Sequence, residues 1–358
     1  MRYWFLPAIL IVYGLLSVLT LSSIAPELAA KQLGFFVVGG SVFFIISRLS
    51  WKRIEMLSPI GYAVTIFLLI LTLVIAAQTR NTARWIDFGG LFALQASQLA
   101  IPLVGLFLSV TLQNLDAFKK VTILQLVRIS GIVGIPALLI LVEPDLGTTI
   151  VYLASLATLG LFLKLEKKHL FSLIALVLMT IVVSWFLILK PYQKQRITSF
   201  VNPTADITGA GYNANQSMIA VGSGMFWGRG LGQGVQSYLN FLPERQTDFI
   251  FASIAEEFGF IGSIVIVCLY LALVLFLLRT AFISKNTAAS LFTFIVVAQI
   301  TLQTFVNIGM NMGMLPITGI TLPLLSYGGS SVITLCATLG LIQSDLGEQK
   351  KELTLHLS

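Results

Sequence analysis

Apolar residues run along this chain in long, nearly uncharged blocks, and polar residues collect in the gaps between them. A block of roughly 20 apolar residues is long enough to cross a bilayer as a helix. Ten such spans are predicted, at 4–23, 32–48, 57–78, 96–114, 125–142, 146–164, 170–189, 249–279, 287–310 and 326–344. The pattern therefore predicts an all-α polytopic membrane protein. Its first block, Trp4–Ser23, reads as a retained first helix rather than a cleaved signal, because further spans follow it. Most connections are short, except for one large loop at about 190–248. No internal repeat is visible, so one transmembrane domain over 1–358 is expected, without the inverted symmetry of many transporters.

Composition sharpens this picture. The chain is 57% hydrophobic and only 10% charged, far from soluble globular averages. An even number of spans puts both termini on one side. With the termini cytoplasmic, the 22 Lys and Arg divide 14 inside to 8 outside, as the positive-inside rule requires. The net charge of +7 is thus an orientation signal, and no nucleic-acid partner is expected. Both cysteines, Cys268 and Cys336, fall inside apolar blocks, which speaks against a disulfide or a thiolate metal site. Both histidines, His169 and His356, lie on the cytoplasmic side. That removes Ser-His-Asp catalysis and a histidine zinc site from the outer face.

The densest polar chemistry lies in Phe241–Gly259, where the long loop enters the eighth span. Asp248 stands there beside Phe249, Ile250 and Phe251, and partial desolvation favours a carboxylate acting as a base. The competing role is a helix cap, with Thr247 or Asp248 accepting from free backbone amides. Glu256 and Glu257 follow two turns later. Glu256 falls about 80° around the helix from Asp248, and Glu257 is roughly opposite it. Carboxylates at membrane depth are costly, so function or pairing is the default, and a structural bond to a neighbouring helix is at least as good a reading.

Six outer-face cations, Arg84, Lys190, Lys194, Arg196, Arg229 and Arg245, oppose the positive-inside trend and point to an anionic ligand. For any one of them, lipid headgroups or Asp87, Asp206 and Glu244 are equal competitors. The glycines at 222, 224, 228, 230, 232 and 234 lack the Gly-Lys-Ser/Thr ending of a P-loop. They suit a re-entrant segment that turns and approaches a ligand closely. Three more polar turns, at 95–98, 143–148 and 323–331, share the outer face and suggest one polar cavity that includes Asp145.

These segments together resemble the SEDS family (shape, elongation, division and sporulation), which includes the RodA and FtsW proteins. The matching stretches are ARWI at 83–86, EPDLGTT at 143–149, YQKQRITSFVNPTAD at 192–206, GAGYNANQSMIAVGSGMFWGRGLGQG at 209–234, LPERQTDFIFASIAEEFGFIGS at 242–263 and LPITGITLPLLSYGGSS at 315–331. They keep their order over nearly the whole chain, and the short termini and loops look most like RodA. The resemblance implies a peptidoglycan glycosyltransferase of the bacterial plasma membrane. It would polymerise lipid II into glycan strands at the outer face, in cell-wall elongation and shape control, with a class B penicillin-binding protein as partner.

The resemblance also implies the site residues. The family's catalytic aspartate falls on Asp248. Substrate contacts fall on Arg84, Asp145, Arg196, Gln216, Ser217, Glu244, Arg245, Thr247, Glu257 and Ser330. The chemistry suits the inventory. An inverting displacement on a lipid diphosphate needs one base for the acceptor hydroxyl and positive charge for the departing pyrophosphate. Arginines supply that charge, unless a divalent cation such as Mg or Mn supplies part of it. Three positions depart from the family pattern: Gln98 and Ile101 replace a Glu and a Lys, and Gln246 replaces a His. Two other readings remain, a lipid II flippase and a non-catalytic activator of the transpeptidase.

Overall fold

The structure, a computed structural model, describes residues 2–75, 77–79, 82–87, 89, 93–114, 121–163, 171, 186, 189–201, 209–239 and 241–355. In chain order its helices are α1 (Phe5–Ile24), α2 (Pro26–Ile46), α3 (Trp51–Ile75), α4 (Ala96–Asn114), α5 (Ile123–Val142), α6 (Leu146–Ala157), α7 (Pro191–Val201), α8 (Ala210–Ser223), α9 (Val235–Tyr238), α10 (Ile250–Ile283), α11 (Thr287–Asn311) and α12 (Gly329–Leu355). Among the described residues seven of these, α1 to α5, α10 and α11, are long and apolar enough to cross a membrane. Apolar blocks become helices because hydrocarbon offers no partner for backbone N–H and C=O groups, and a helix satisfies them within itself. The block at 146–164 forms the shorter α6, continued as a 3-10 turn over Thr158–Leu161. The predicted span at 170–189 lies almost entirely outside the described residues.

The first and last parts of the chain close on each other, with α2 running along α12 and α1 along α2. The pairs α3–α4 and α10–α11 build the middle, and α11 also packs on α4 and α6. One apolar cluster gathers Tyr13, Ile250, Tyr270, Phe292 and Val332 from α1, α10, α11 and α12. A second gathers Leu69, Ile101, Ile140 and Tyr152 from α3 to α6.

The all-α expectation needs one correction. A three-stranded antiparallel sheet, β1 (Ala77–Thr79), β2 (Thr82–Asp87) and β3 (Ala93–Leu94), joins α3 to α4 in the order β1-β2-β3. Its strands are too short to carry a visible two-residue alternation, and β1 begins inside the block read as a span.

Within the described part of 190–248 stand α7, α8 and α9, and α8 packs on α10 as its apolar stretch suggests. Three glycines of this segment, Gly224, Gly228 and Gly234, come close to the first turns of α10. A Cβ at Gly224 would stand 1.9 Å from the Ala255 carbonyl oxygen, so only glycine lets the two backbones meet. The helix they meet breaks at Gly259, whose φ of 65° and ψ of −159° suit glycine alone. The break frees the N–H groups of Phe260 and Ile261, which donate to the Met225 and Phe226 carbonyls at 2.9 and 3.3 Å. At about 50 Å, α10 would overrun the roughly 30 Å hydrocarbon core. The break sets its first turns, with Glu256 and Glu257, apart from the rest.

Candidate functional site

Three consecutive peptide carbonyls at the entrance of α10 are each held by a different partner. Gln246 O accepts from Tyr327 N at 2.8 Å, and Thr247 O accepts from Ser326 Oγ at 2.6 Å. Asp248 O accepts from Asn307 Nδ2 at 2.9 Å and Asn311 Nδ2 at 3.0 Å. The backbone that carries the Asp248 side chain is therefore fixed from two directions, by the turn at 322–328 and by α11. A helix start leaves its first N–H groups without intrahelical acceptors. Here Asn311 Oδ1 takes the one from Ala252 at 3.0 Å. The N-cap position is Phe249, whose side chain makes no cap.

That carboxylate faces a cavity of about 250 Å³. Arg84 and Trp85 from β2, Gln98 from α4, Thr148 and Val151 from α6, and Tyr192 and Arg196 from α7 line it, together with Thr247, Gln303, Gly319 and Tyr327. Among the described lining residues Asp248 is the one acid, and Arg84 and Arg196 are the two cations. Gly319 has φ +75°, and the place its Cβ would take lies 3.5 Å from both Arg196 Nη1 and Asp248 Oδ2. A side chain there would intrude between acid and base. Burial pushes the Arg196 guanidinium below its ordinary range, and the nearby Asp248 charge pulls it back up. Arg196 Nη1 donates to Thr318 O at 3.1 Å and so reaches the cavity at a fixed height.

The EPDLGTT turn braces this wall from behind. Pro144 O accepts from Arg84 Nη2 at 2.5 Å, Tyr192 Oη at 3.2 Å and Gln193 Nε2 at 3.1 Å, which ties β2 to α7. Asp145 caps α6 through Thr148 N at 3.2 Å and accepts from Thr148 Oγ1 and Gln95 Nε2, both at 2.9 Å. Arg84 Nη1 sits 3.4 Å from its other side. Asp145 is thus buried behind the cavity and holds Arg84 in the wall.

Other expected contacts move further away. Arg245 donates Nε and Nη2 to Ile24 O at 3.0 and 2.8 Å and pins the segment to the end of α1. Ser217 donates to Asn311 O at 2.9 Å, and Ser330 Oγ accepts from Gln95 N at 3.1 Å. Glu244 accepts from Thr247 Oγ1 at 3.1 Å, outside the lining. Gln216 is half-buried on α8, also outside it. Glu257 accepts from Ser23 Oγ and from Gly232 N, and Glu256 from Gln236 N at 2.8 Å and Ser237 N at 3.0 Å. Both carboxylates satisfy amides of the glycine-rich segment. Of the eleven expected residues the cavity gathers Arg84, Arg196, Thr247 and Asp248. The unanticipated ones are Asn307 and Asn311, one turn apart inside an apolar helix, and polar residues at that depth were the available signal. Of the departures, Gln98 lines the cavity and Ile101 is fully buried in the second apolar cluster.

Glu143 is a further buried carboxylate beside this wall. Among the described residues neither of its oxygens has a partner. Burial pushes it up to about 8, Asp145 adds to the rise, and Arg84 opposes it. The folded state therefore holds a proton that an unfolded chain releases near 4.5. Stability should fall as pH rises between those values and level off above about 8. Glu143→Gln is expected to flatten that slope, so its thermal midpoint should exceed that of the parent at pH 9 but not at pH 4. Unfolding scans at the two pH values check this.

The chain matches the family model of FtsW, RodA and SpoVE, described as cell cycle protein, over residues 1–351. Peptidoglycan glycosyltransferase MrdB of Escherichia coli K12 is 34% identical over 339 residues, covering 94% of this chain and 90% of that one. The probable peptidoglycan glycosyltransferase FtsW of Nitrosococcus halophilus is 36% identical over 321 residues, covering 86% and 80%. Among solved structures, a chain of a peptidoglycan synthase complex that coordinates polymerization and crosslinking superposes with TM-score 0.78 at 28% identity, covering 95% and 96%. The Thermus thermophilus rod shape determining protein RodA superposes with TM-score 0.70 at 26% identity, covering 95% of each chain.

Proposed function

The chain belongs to the FtsW, RodA and SpoVE family and is a peptidoglycan glycosyltransferase, and on that premise we propose that Asp248 is its general base. The observation that carries this reading is one carboxylate on a fixed backbone, across a polar cavity that also presents two arginines. In the reaction the acceptor sugar hydroxyl attacks the anomeric carbon of the lipid II donor. The new C–O bond forms as the bond to the diphosphate breaks, Asp248 takes the hydroxyl proton, and the pyrophosphate leaves with its charge. Arg84 and Arg196 face that developing charge from positions fixed before reaction. No second carboxylate is needed, since no covalent glycosyl intermediate forms.

A divalent ion fits this inventory in one way. Among the described residues no three His, Cys, Asp or Glu side chains cluster. Mg or Mn would take Asp248 and phosphate oxygens of the substrate as ligands, and would then neutralise diphosphate charge. We place the cavity on the outer face of the bacterial plasma membrane, in a single domain of ten spans with cytoplasmic termini. A class B penicillin-binding protein is the proposed partner, since the similar solved chain belongs to a polymerization and crosslinking complex. Purified protein given lipid II in detergent is expected to form glycan polymer, with no membrane to cross. A chelator that abolishes polymer would assign the ion a part. Absence of polymer with and without added Mg or Mn would favour the flippase or activator reading.

A further inference from the structure

At the end of the bundle opposite the Asp248 cavity, where the chain termini lie, a polar pocket of about 360 Å³ opens at the membrane boundary. Arg48 and Lys350 are its two cations, with Tyr3, Ser50 and Glu348 in the same wall. Each cation stands over an aromatic ring: the Arg48 guanidinium lies 4.5 Å from the Phe44 centroid and the Lys350 ammonium 5.1 Å from that of Tyr3. Glu348 is partly engaged already, since it accepts from Trp51 N at 2.8 Å at the start of α3. With two cations against one acid, the lining carries a net positive charge.

The same rings lead into a second space. Between α1 and α2 runs a groove of about 790 Å³, with Trp4, Leu15, Phe36, Val37 and Phe44 in its walls and Cys336 of α12 at its floor. Phe44, which carries Arg48 on its face, is a wall of the groove. The Trp4 ring meets the Tyr3 ring edge-on at 5.8 Å, so a groove residue also touches a pocket residue on the other side. Head pocket and groove are thus adjacent, with the Phe44 ring and the Tyr3–Trp4 pair between them, the one cationic and the other apolar. Among the described residues no charged one lines the groove.

We propose that this composite site binds an anionic phospholipid, with its phosphate between Arg48 and Lys350 and an acyl chain between α1 and α2. A soluble anion uses only the pocket, and a zwitterionic lipid only the groove with full benefit. Basic pockets at the helix ends of membrane proteins select anionic headgroups by the same electrostatics, strongest at low ionic strength.

The test is native mass spectrometry of the full chain from detergent, with phosphatidylglycerol and phosphatidylcholine of matched acyl chains and with glycerol phosphate as the soluble competitor. The parent should retain phosphatidylglycerol preferentially, and glycerol phosphate should not displace it. Arg48→Gln and Lys350→Gln should each lower that preference by about fivefold, and the double variant should abolish it. Nothing lies within 4 Å of a Cβ at Gly40, which lines the groove, so Gly40→Leu fits without strain and should reduce retention of both lipids. The single variants keep the test decisive should the double variant not fold. Equal retention of the two lipids by the parent, unchanged preference in either single variant, or unchanged retention in Gly40→Leu would overturn the proposal. Displacement by glycerol phosphate would overturn it in favour of a soluble-anion site.

Discussion

Asp248→Asn should lower lipid II polymerisation by about 10²–10⁴-fold, the usual contribution of a placed general base. The amide keeps the shape of the side chain but cannot take a proton from the acceptor hydroxyl. Folding should survive, since the surrounding structure holds this residue by its carbonyl, through Asn307 and Asn311, and by its N–H, which donates to Glu244 O at 3.1 Å. A thermal midpoint close to that of the parent, read beside the rate of polymer formation, separates lost chemistry from lost structure. A polymerisation rate within a few-fold of the parent would remove Asp248 from the role of base.

Arg196→Gln is the second large expected loss, about 10²–10³-fold, the magnitude seen when one preorganised donor is taken from a developing anion. The cation is half of the positive charge in the cavity and lies across Gly319 from the base. Arg196→Lys should restore only part of the rate. A lysine brings a point charge but no planar fork, so it cannot donate to Thr318 O and face a diphosphate together in the same way. Initial rates at saturating lipid II for the three proteins check this. Full rescue by lysine would show that charge alone matters there, and an unchanged Arg196→Gln rate would assign the pyrophosphate to Arg84 or an ion.

Much of this site was legible in the chain because hydropathy in a membrane protein is a coarse and strong signal. The apolar blocks located nine of the twelve described α-helices, all but α7, α8 and α9, and the polar cluster before Phe249 located the acid. Arg84 and Arg196 stood out as cations on the face that should have few. What stayed hidden depends on tertiary partners. Arg245 looks like Arg196 in the sequence, yet it is spent on the Ile24 carbonyl. Glu256 and Glu257 could be functional or structural as far as the sequence goes, and their bonds go to amides at 232–237. Two of the glycines in the re-entrant segment, Gly224 and Gly228, bring its backbone against that of α10, which no local pattern distinguishes from a loop that only turns. Asn307 and Asn311 were visible as polar residues one turn apart, but the carbonyl they hold is 59 and 63 residues away in the chain.

The measurement that bears most directly on the central claim is made on one preparation of Asp248→Asn, with lipid II binding and polymer formation determined in parallel. The account predicts binding close to that of the parent together with polymer formation lowered by about 10²–10⁴-fold, because the arginines that meet the diphosphate remain in place. Normal polymer from that preparation, or binding lost along with activity, would contradict the assignment of Asp248 as the base.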